Sequence, residues 1–258
     1  MQLYLDDALH PYFNKYVALF DQLMALKGEV YRDLDGRKTQ RVKIGDHYYF
    51  IKQHRGIGFK EIAKNLIQGR LPVTTAENEW QAIHLLQRLG VDTPSVVGYG
   101  VRGWNPAAHE SFVLLEEIAP SESLETLTAN WLQKPPTFHE KKRLINEVAR
   151  IARIMHENGI NHRDFYLCHF LKRKNKAALC LIDLHRAQIR RKTPSRWLIK
   201  DLAGLYFSSR DIGLTKRDEY RFMCAYRQNS LRNILAKESI FWQKVRERGE
   251  KLYREHKQ

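Results

Sequence analysis

The chain has 258 residues, of which 43% are hydrophobic and 11% aromatic, enough apolar side chains for a substantial core. This composition excludes a chain that is disordered throughout. Lysine and arginine outnumber acidic residues by 44 to 29, and the resulting net charge of +15 favours partners that carry phosphate or other anionic groups.

The positive charge is concentrated in the last third of the chain. Between Arg186 and Gln258 there are 19 basic and eight acidic residues. Such a segment attracts nucleic acid, anionic lipid head groups, a phosphorylated glycan or an acidic protein, and it is equally typical of a solvated surface. Charge alone therefore leaves the partner open.

The location of the protein is predicted from two missing signals. No stretch approaches the ~18 consecutive apolar residues that span a bilayer, and the first residues lack the basic start and apolar centre of a signal peptide. The pattern predicts a cytoplasmic protein. The three cysteines, at 168, 180 and 224, form no paired motif, so they are predicted to be reduced and mostly buried.

The first predicted elements are three strands between residues 29 and 53. Their turns lie at Asp35-Gly36 and at Gly45-Asp46, and Lys52 falls near the end of the third strand. A polar, helix-prone stretch follows from residue 56 to 69. A helix is then predicted to begin at Thr74 or Thr75 and to end at Gly90.

Short strands are predicted around residues 95–101 and 111–116, and the pattern changes after them. Apolar residues at helical spacing predict a long helix over 139–158, with Gly159 just past its end. The chain is basic and helical from about Trp197. We therefore predict a strand-rich part over residues 1–117 and a helix-rich part over 118–258.

The stretch "GINHRDFYLCHF" follows the long helix. The next segment, "LKRKNKAALCLIDLHR", is predicted to form a hairpin. If residues 173–176 form the turn, His169 lies opposite Cys180 and Tyr166 lies opposite Asp183. Strand spacing then lets Asp164, His169 and Asp183 border one pocket.

These residues match the needs of phosphoryl transfer from ATP, which depends on positioning and on charge neutralisation. The reaction needs a cation on the donor phosphates, carboxylates for a metal and a group that orients the attacking hydroxyl. Lys52, a glutamate at 77 or 79, Asp164 and Asp183 supply these groups in a meaningful order. Each residue alone is more typical of a surface charge or a helix terminus, and the argument rests on the set.

The chain resembles the protein-kinase superfamily and, more closely, the lipopolysaccharide core heptose kinases. The closer match is carried by "HRGIGFKEIAKNLI", "ENEWQAIHLLQRLGVDT", "NHRDFYLCHFL", "IDLHRAQIR" and "RWLIKDLAGLYFSSRDIGLTKRD", from about residue 28 to 235. The resemblance implies a bilobal α+β kinase-like fold with a small β-rich N-lobe and a larger helical C-lobe. It also implies ATP with Mg²⁺ as the donor system and a heptose of the lipopolysaccharide inner core, heptose I, as acceptor.

The resemblance implies a role for each matching residue. Asp164 would orient the attacking hydroxyl and Lys52 would hold the donor phosphates, with Glu79 rather than Glu77 as the partner of the lysine. Asp183 would bind the metal. From a C-lobe helix, Asp201 would brace the catalytic loop.

Other positions depart from ordinary protein kinases. His169 stands where a protein kinase has a metal-binding asparagine, and it is predicted either to bind the metal or to donate a hydrogen bond to phosphate or loop. The glycine-rich phosphate loop is absent, which leaves the hairpin at Gly36 to cover the phosphates. The remaining residues predicted to contact the nucleotide are Arg37, Lys38, Glu116 and Ile118.

The acceptor side is predicted from a missing motif and from basic residues. No Ala-Pro-Glu sequence follows Asp183, which disfavours a peptide acceptor and suits a glycan. Arg163, Arg186 and Arg190 are predicted to meet an anionic acceptor.

The implied partners are the inner-core glycolipid, an anionic membrane surface at the cytoplasmic face of the inner membrane, and an acidic helper protein such as an acyl carrier protein. Nucleic acid is not expected. The apolar residues of the C-terminal segment are predicted either to lie on the membrane or to pack on the C-lobe. Two alternatives remain open: a related kinase with a protein or RNA-associated acceptor, and a silent kinase-like binding module.

Overall fold

The computed structural model describes residues 1–34, 36–56, 75–104, 109–174 and 176–257. The helix-prone stretch predicted after residue 56 and part of the first quoted motif lie outside these ranges. The chain divides into two compact units, the first formed by residues 1–85 and 94–118 and the second by 86–93 and 119–258. In the described ranges, no helix has the length and apolar character to cross a membrane.

The first unit is a six-stranded antiparallel sheet with few helices. Its elements are β1 (Gln2–Leu5), a 3-10 helix (Asp7–Tyr12), α1 (Leu19–Ala25), β2 (Glu29–Leu34), β3 (Arg37–Ile44), β4 (His47–Arg55), most of α2 (Glu77–Arg88), β5 (Val96–Arg102) and β6 (Glu110–Glu116). The strand order is β1-β5-β6-β4-β3-β2. The three strands predicted before residue 53, the helix before Gly90 and the two short strands are confirmed.

One face of this sheet makes the core of the first unit. Along β4 every second side chain is buried, and Tyr49, Ile51 and Gln53 lie against α1 with Phe20 and Leu23. The alternate residues, including Lys52, point to the other face. The two-residue period of the strand therefore separates the core from the face that carries the charged lysine.

The second unit is mainly helical. Its elements are β7 (Ser121–Ser123), α3 (Leu124–Thr128), α4 (Phe138–Glu157), β8 (Ile160–Asn161), a 3-10 turn (Leu167–His169), β9 (Phe170–Arg173), β10 (Leu179–Leu181), a 3-10 turn (Leu184–Arg186), β11 (Gln188–Ile189), α5 (Ser195–Ser208), α6 (Lys216–Arg227) and α7 (Leu231–Lys257). The strands form two small antiparallel sheets, β10-β9-β7 and β11-β8.

The long helix α4 has the limits that its sequence pattern predicts. Thr137 caps it by accepting a hydrogen bond from the Glu140 N–H, and its buried face includes Val148, Ile151 and Met155. Gly159 follows with φ +78°, and a Cβ there would lie 1.7 Å from the Arg190 carbonyl oxygen. Only glycine fits this approach, which joins β8 to β11 beside the functional loop.

The predicted register of the hairpin between β9 and β10 is wrong by two residues. Lys172 pairs with Leu179 and Leu171 with Cys180, so His169 lies opposite Ile182, whose N–H donates to the His169 carbonyl oxygen at 2.9 Å. The connection is longer than the predicted turn, and β9 ends at Arg173, which pairs with Ser121 of β7 on its other edge. A shift of two residues keeps every side chain on its predicted face.

The apolar face of α7 packs within the second unit. Val245 is buried, Tyr206 of α5 donates a hydrogen bond to Glu250 at 2.7 Å, and Trp242 lies edge-on to Tyr226. Of the two predictions for this segment, packing on the helical part is confirmed. These side chains are therefore committed to the core.

Candidate active site

The β-rich unit places Lys52 against a buried glutamate. The Lys52 Nζ lies 2.7 Å from Glu79 Oε1, and the Glu79 side chain is fully buried. Glu77, about half a turn away in α2, instead accepts a hydrogen bond from Gln81 at the surface. The helical period turns only one of these glutamates towards the sheet.

The hairpin residues predicted to cover phosphate divide between the two faces of the sheet. By register, Arg37 lies opposite His54 on the face that carries Lys52, whereas Lys38 lies opposite Gln53 on the α1 face. Lys38 also contacts Asp33 at 3.6 Å. Lys38 and Lys52 therefore point to opposite faces of the sheet, which the sequence alone did not predict.

Gly36 closes this hairpin in a conformation that suits glycine. Its φ is +70°, its carbonyl accepts a hydrogen bond from the Arg55 N–H, and a Cβ would lie 2.9 Å from the Arg55 carbonyl oxygen. At the other end of the unit, Glu116 finishes β6 with its N–H bonded to the Ser95 carbonyl, and Ile118 follows it.

In the helical unit, Arg186 binds the carboxylate of Asp164. The Arg186 Nη1 lies 2.9 Å from one oxygen and 3.1 Å from the other, and the Asp164 side chain is 18% exposed. Sequence reasoning selected both residues without linking them. The pairing means that the candidate catalytic carboxylate is held by a cation in this structure.

Asp201 of α5 holds the loop that carries Asp164. One of its oxygens accepts from the His162 N–H at 2.7 Å and the other from the Arg163 N–H at 2.8 Å, while His156 Nε2 lies 3.3 Å away. Arg163 has φ +76°, an unfavourable conformation that the buried carboxylate stabilises. The three interactions fix the backbone directly before Asp164.

His169 and Asp183 meet beside this loop. The His169 Nδ1 lies 2.7 Å from the Asp164 carbonyl oxygen, which can only accept, so Nδ1 carries a proton. In a neutral ring Nε2 is then an acceptor, and it faces Asp183 Oδ2 at 3.5 Å. Two acceptors that face each other favour a cation between them.

The carboxylate of Asp183 lies between two imidazoles. The second imidazole at Asp183 is that of His185, whose Nδ1 lies 2.9 Å from Oδ1. Within the described ranges, no group of three or more His, Cys, Asp or Glu side chains could hold a metal. One carboxylate with one imidazole suits a cation whose other ligands are phosphate oxygens and water.

His162 is a buried residue of this site that the sequence analysis did not select. Its ring stacks on that of His169 at 5.5 Å, and its Nε2 lies 3.0 Å from the Ile182 carbonyl oxygen. Burial, and then the neighbouring His169, lowers the pKa of His162. The ring is therefore neutral at pH 7 and serves as packing for His169.

The cysteines are free thiols as predicted, but the predicted burial is complete for only one of the three. Cys180 is buried and the other two are partly buried, and all three are free thiols. Burial raises the pKa of Cys168 to about 11 and that of Cys180 to about 12. Thiols with such pKa values are protonated and unreactive at pH 7.

An apolar cavity of about 140 Å³ lies among the helices of the second unit. Its lining comes from five helices and includes Leu124, Leu144, Val148, Leu202, Phe222 and Trp242. A largely apolar space of this size can accept apolar groups about as large as benzene. Sequence reasoning gave no sign of it, because its lining resembles ordinary core residues.

Comparison with known proteins supports the class that fold and site indicate. The structure of "WaaP in complex with acyl carrier protein" matches with a TM-score of 0.84 and 42% identity, covering 98% of this chain and all of that one. The α+β, bilobal kinase-like fold class is thereby confirmed. The chain is a phosphotransferase of the kinase-like class.

The sequence comparisons identify the family. A sequence model of the lipopolysaccharide kinase (Kdo/WaaP) family matches residues 21–226. The lipopolysaccharide core heptose(I) kinase WaaP of Pseudomonas aeruginosa is 48% identical over 240 residues, 91% of this chain and 90% of the relative. Its counterpart in Escherichia coli K12 is 48% identical over 225 residues, 85% of each.

The chain belongs to the lipopolysaccharide kinase (Kdo/WaaP) family. The resemblance read from the sequence motifs is thereby confirmed. Membership of a kinase family implies ATP as the phosphate donor.

Proposed function

We propose that this protein transfers the γ-phosphate of ATP to a hydroxyl of heptose I in the lipopolysaccharide inner core. The observation that carries the proposal is the braced loop of the second unit, where Asp201 fixes the backbone before Asp164. A carboxylate held in this way can accept a hydrogen bond from a sugar hydroxyl and orient it for attack.

In the first unit, Lys52 is proposed to hold the α- and β-phosphates. Its ion pair with buried Glu79 keeps the long side chain extended and charged. Gly36 and Arg37 are proposed to contribute the hairpin contacts, and Glu116 and Ile118 the contacts at the end of β6. Lys38 is the weakest member of this set, since it shares a face with Gln53 rather than with Lys52.

In the second unit, Asp183 and His169 are proposed to hold Mg²⁺. The cation, when bound, neutralises charge on the transferred phosphate. Asp164 orients the acceptor hydroxyl and takes its proton as the oxygen–phosphorus bond forms and the bond from the γ-phosphorus to the bridging oxygen breaks, which releases ADP. Arg186 competes with the acceptor hydroxyl for the Asp164 carboxylate, and Arg163, Arg186 and Arg190 are proposed to face the acceptor.

The direct test supplies the purified protein with ATP, Mg²⁺ and an inner-core glycolipid that lacks phosphate on heptose. We expect one phosphate per acceptor, located on heptose I by mass spectrometry of the released core. Parallel reactions with protein or RNA acceptors test the alternative acceptors. Transfer to those and not to the glycolipid would refute the proposal, as would an unchanged inner-core phosphate content in cells that lack the gene product.

The metal assignment has its own test in a substitution of His169. In His169→Asn an amide oxygen replaces the imidazole nitrogen, and oxygen is the ligand that Mg²⁺ prefers. If His169 binds the metal, the ratio of activity with Mn²⁺ to activity with Mg²⁺ should fall in the variant. An unchanged ratio would assign His169 to phosphate or loop contacts.

An acyl carrier protein is the proposed protein partner. A structural relative was solved in complex with one. On this chain the excess of basic over acidic residues after Arg186 suits an acidic protein. The apolar cavity of the second unit suits part of a fatty acyl chain.

Calorimetric titration with three forms of acyl carrier protein separates these two contributions. The form without its prosthetic group tests the charge, and the form with a free thiol tests the prosthetic arm. The acylated form tests the cavity. We expect the acylated form to bind most tightly; equal affinity of all three would remove the cavity from the proposal, and no binding of any form would remove the partner.

The proposed place of action is the cytoplasmic face of the inner membrane, where the acceptor glycolipid would be met. Because the apolar face of α7 packs internally, contact with lipid would depend on the surface cations. Flotation with anionic vesicles at low and high salt tests this. Vesicle binding that is equally strong at both salt concentrations would contradict a charge-based contact.

A further inference from the structure

Four cations surround a single indole ring in the second unit. The side-chain charges of Arg163, Arg190, Arg196 and Lys200 lie 5.4, 5.5, 5.4 and 5.5 Å from the centre of the Trp197 ring. We name this group the Trp197 cluster. Arg196, Trp197 and Lys200 belong to the first two turns of α5, where the helix itself contributes partial positive charge.

No carboxylate of the described residues forms an ion pair with any of these four cations. Arg190 donates to the neutral oxygens of Asn161 and Gln188. The two nearby acids are engaged elsewhere, Asp164 with Arg186 and Asp201 with backbone N–H groups. An indole ring attracts a cation but does not neutralise it.

The cluster also contains buried donors that have no acceptor. Arg163 is only 6% exposed, and its Nε has no hydrogen-bond partner; the Trp197 Nε1 is likewise buried and unpartnered. Burial, and then Arg186 and Arg163, lowers the pKa of Lys200. Burial, and then Arg186, lowers the pKa of Arg163. Buried donors and crowded like charges are unfavourable unless an anion completes them.

The cluster lies next to the proposed catalytic carboxylate. Arg163 directly precedes Asp164 in the chain, and Arg186, which binds Asp164, contributes to the charge felt by Arg163 and Lys200. A group bound at the cluster would therefore be close to the hydroxyl that Asp164 orients. Guanidinium groups and an indole N–H can donate hydrogen bonds to the oxygens of a planar carboxylate or of a tetrahedral phosphate.

We propose that the Trp197 cluster binds an oxyanion, a carboxylate or phosphate group, of the acceptor glycolipid and so positions its hydroxyl at Asp164. This inference rests on the proposed function and adds the feature by which the acceptor is recognised. Lys200 and Arg196 are new members of the site, and Trp197 is its platform. A neutral glycan would leave the four charges uncompensated.

The first test compares Lys200→Met with Lys142→Met. Each variant removes one lysine charge from the second unit, but Lys142 is exposed on α4, away from the Trp197 cluster. For Lys200→Met we expect the KM for acceptor to rise about tenfold or more, as for the loss of one charged hydrogen bond, with the KM for ATP within about twofold. Equal effects of the two substitutions would overturn the proposal.

Chemically altered acceptors then identify the anion. One acceptor has its carboxyl groups amidated and the other has its phosphates removed. The alteration that removes the recognised group should raise KM for the wild-type protein and should add little in Lys200→Met. If neither alteration raises KM while heptose is still phosphorylated, the oxyanion site is refuted and the proposed function stands.

A binding measurement keeps the inference testable without catalysis. The indole N–H signal of Trp197, assigned by its loss in Trp197→Phe, is followed in nuclear magnetic resonance spectra during titration with acetate or inorganic phosphate. We expect a saturable shift that is weakened in Lys200→Met and retained in Lys142→Met. If neither anion gives a saturable shift, the proposal is wrong. This result does not depend on whether the protein phosphorylates heptose.

Discussion

The two units of this protein secure their functional residues in different ways. In the β-rich unit, the Lys52 amine pairs with the buried carboxylate of Glu79, and strand alternation decides which side chains share its face of the sheet. In the helical unit, the loop before Asp164 is held by two backbone hydrogen bonds to Asp201 and by packed imidazoles.

The difference matches the tasks proposed for the two units. A phosphate grip needs one extended cation, which a single ion pair can supply. A group that orients a hydroxyl must be held within a fraction of an ångström, so its support is distributed over several contacts. Substitutions in each unit can test whether these two kinds of support behave differently.

The largest effect is expected at Asp164. Asp164→Ala removes the group that orients the acceptor and takes its proton, so kcat should fall by a factor of about 10² to 10⁴. Acceptor-dependent phosphate transfer measures this, and circular dichroism should show an intact fold. Near-native turnover in the variant would remove Asp164 from the mechanism.

In the β-rich unit, Glu79→Gln should cost up to about 3 kcal/mol in the free energy of unfolding, because Lys52 loses its buried charged partner. The KM for ATP should rise as the lysine loses its fixed position. Glu77→Gln is the matched control, with a change within about 0.5 kcal/mol, because Glu77 contacts only Gln81 at the surface. Similar losses in both variants would contradict a specific role of the Lys52–Glu79 ion pair.

The counterpart in the helical unit is Asp201→Asn. The amide keeps one acceptor oxygen but points an NH₂ group at a backbone donor, so we expect a loss of about 1–3 kcal/mol in denaturant unfolding, together with a fall in kcat. Glu255→Gln, on the exposed end of α7, serves as the control. Loss of stability with unchanged kcat would show that Asp201 supports the fold and not the loop geometry.

The smallest effect is expected at the capping box of α6. Burial alone would raise the pKa of Asp218, but hydrogen bonds from Thr215 and the charges of Lys141 and Arg221 outweigh it and lower the pKa. This stabilisation, about 1 kcal/mol, is present above the unfolded pKa near 3.9 and is lost as the pH falls through the folded pKa. The stability difference between wild type and Asp218→Asn should therefore shrink below about pH 4; a constant difference would contradict the lowered pKa.

Much of the fold follows from periodicity and from turn residues. The strands before residue 53 were predictable because strong alternation coincides with glycines at their turns, and the helix before Gly159 because a helical stripe runs from a Thr137 cap to that glycine. The β9–β10 register was not predictable from the local turn, and β9 also pairs with β7, a strand distant in sequence. Local turn signals carry no information about such a third strand.

The candidate site shows the same limit. The sequence order of Lys52, Asp164 and Asp183 was enough to propose phosphoryl transfer, since each residue follows a recognisable element. The Trp197 cluster could not be predicted, because Arg163 and Lys200 meet only after α5 folds against the loop through Asp201. The opposite faces of Lys38 and Lys52 likewise required the strand register.

The contact between Arg186 and Asp164 has a consequence for the enzyme that has ATP but no acceptor bound. Between encounters with a sugar, bound ATP is surrounded by water, a nucleophile that the same carboxylate could activate wastefully. While Arg186 binds Asp164, it competes with water for the carboxylate. Hydrolysis of ATP should therefore be slow until an acceptor displaces the arginine. We expect Arg186→Met to hydrolyse ATP faster than wild type when no glycolipid is present; a slower or equal rate would show that the arginine does not restrain the empty site.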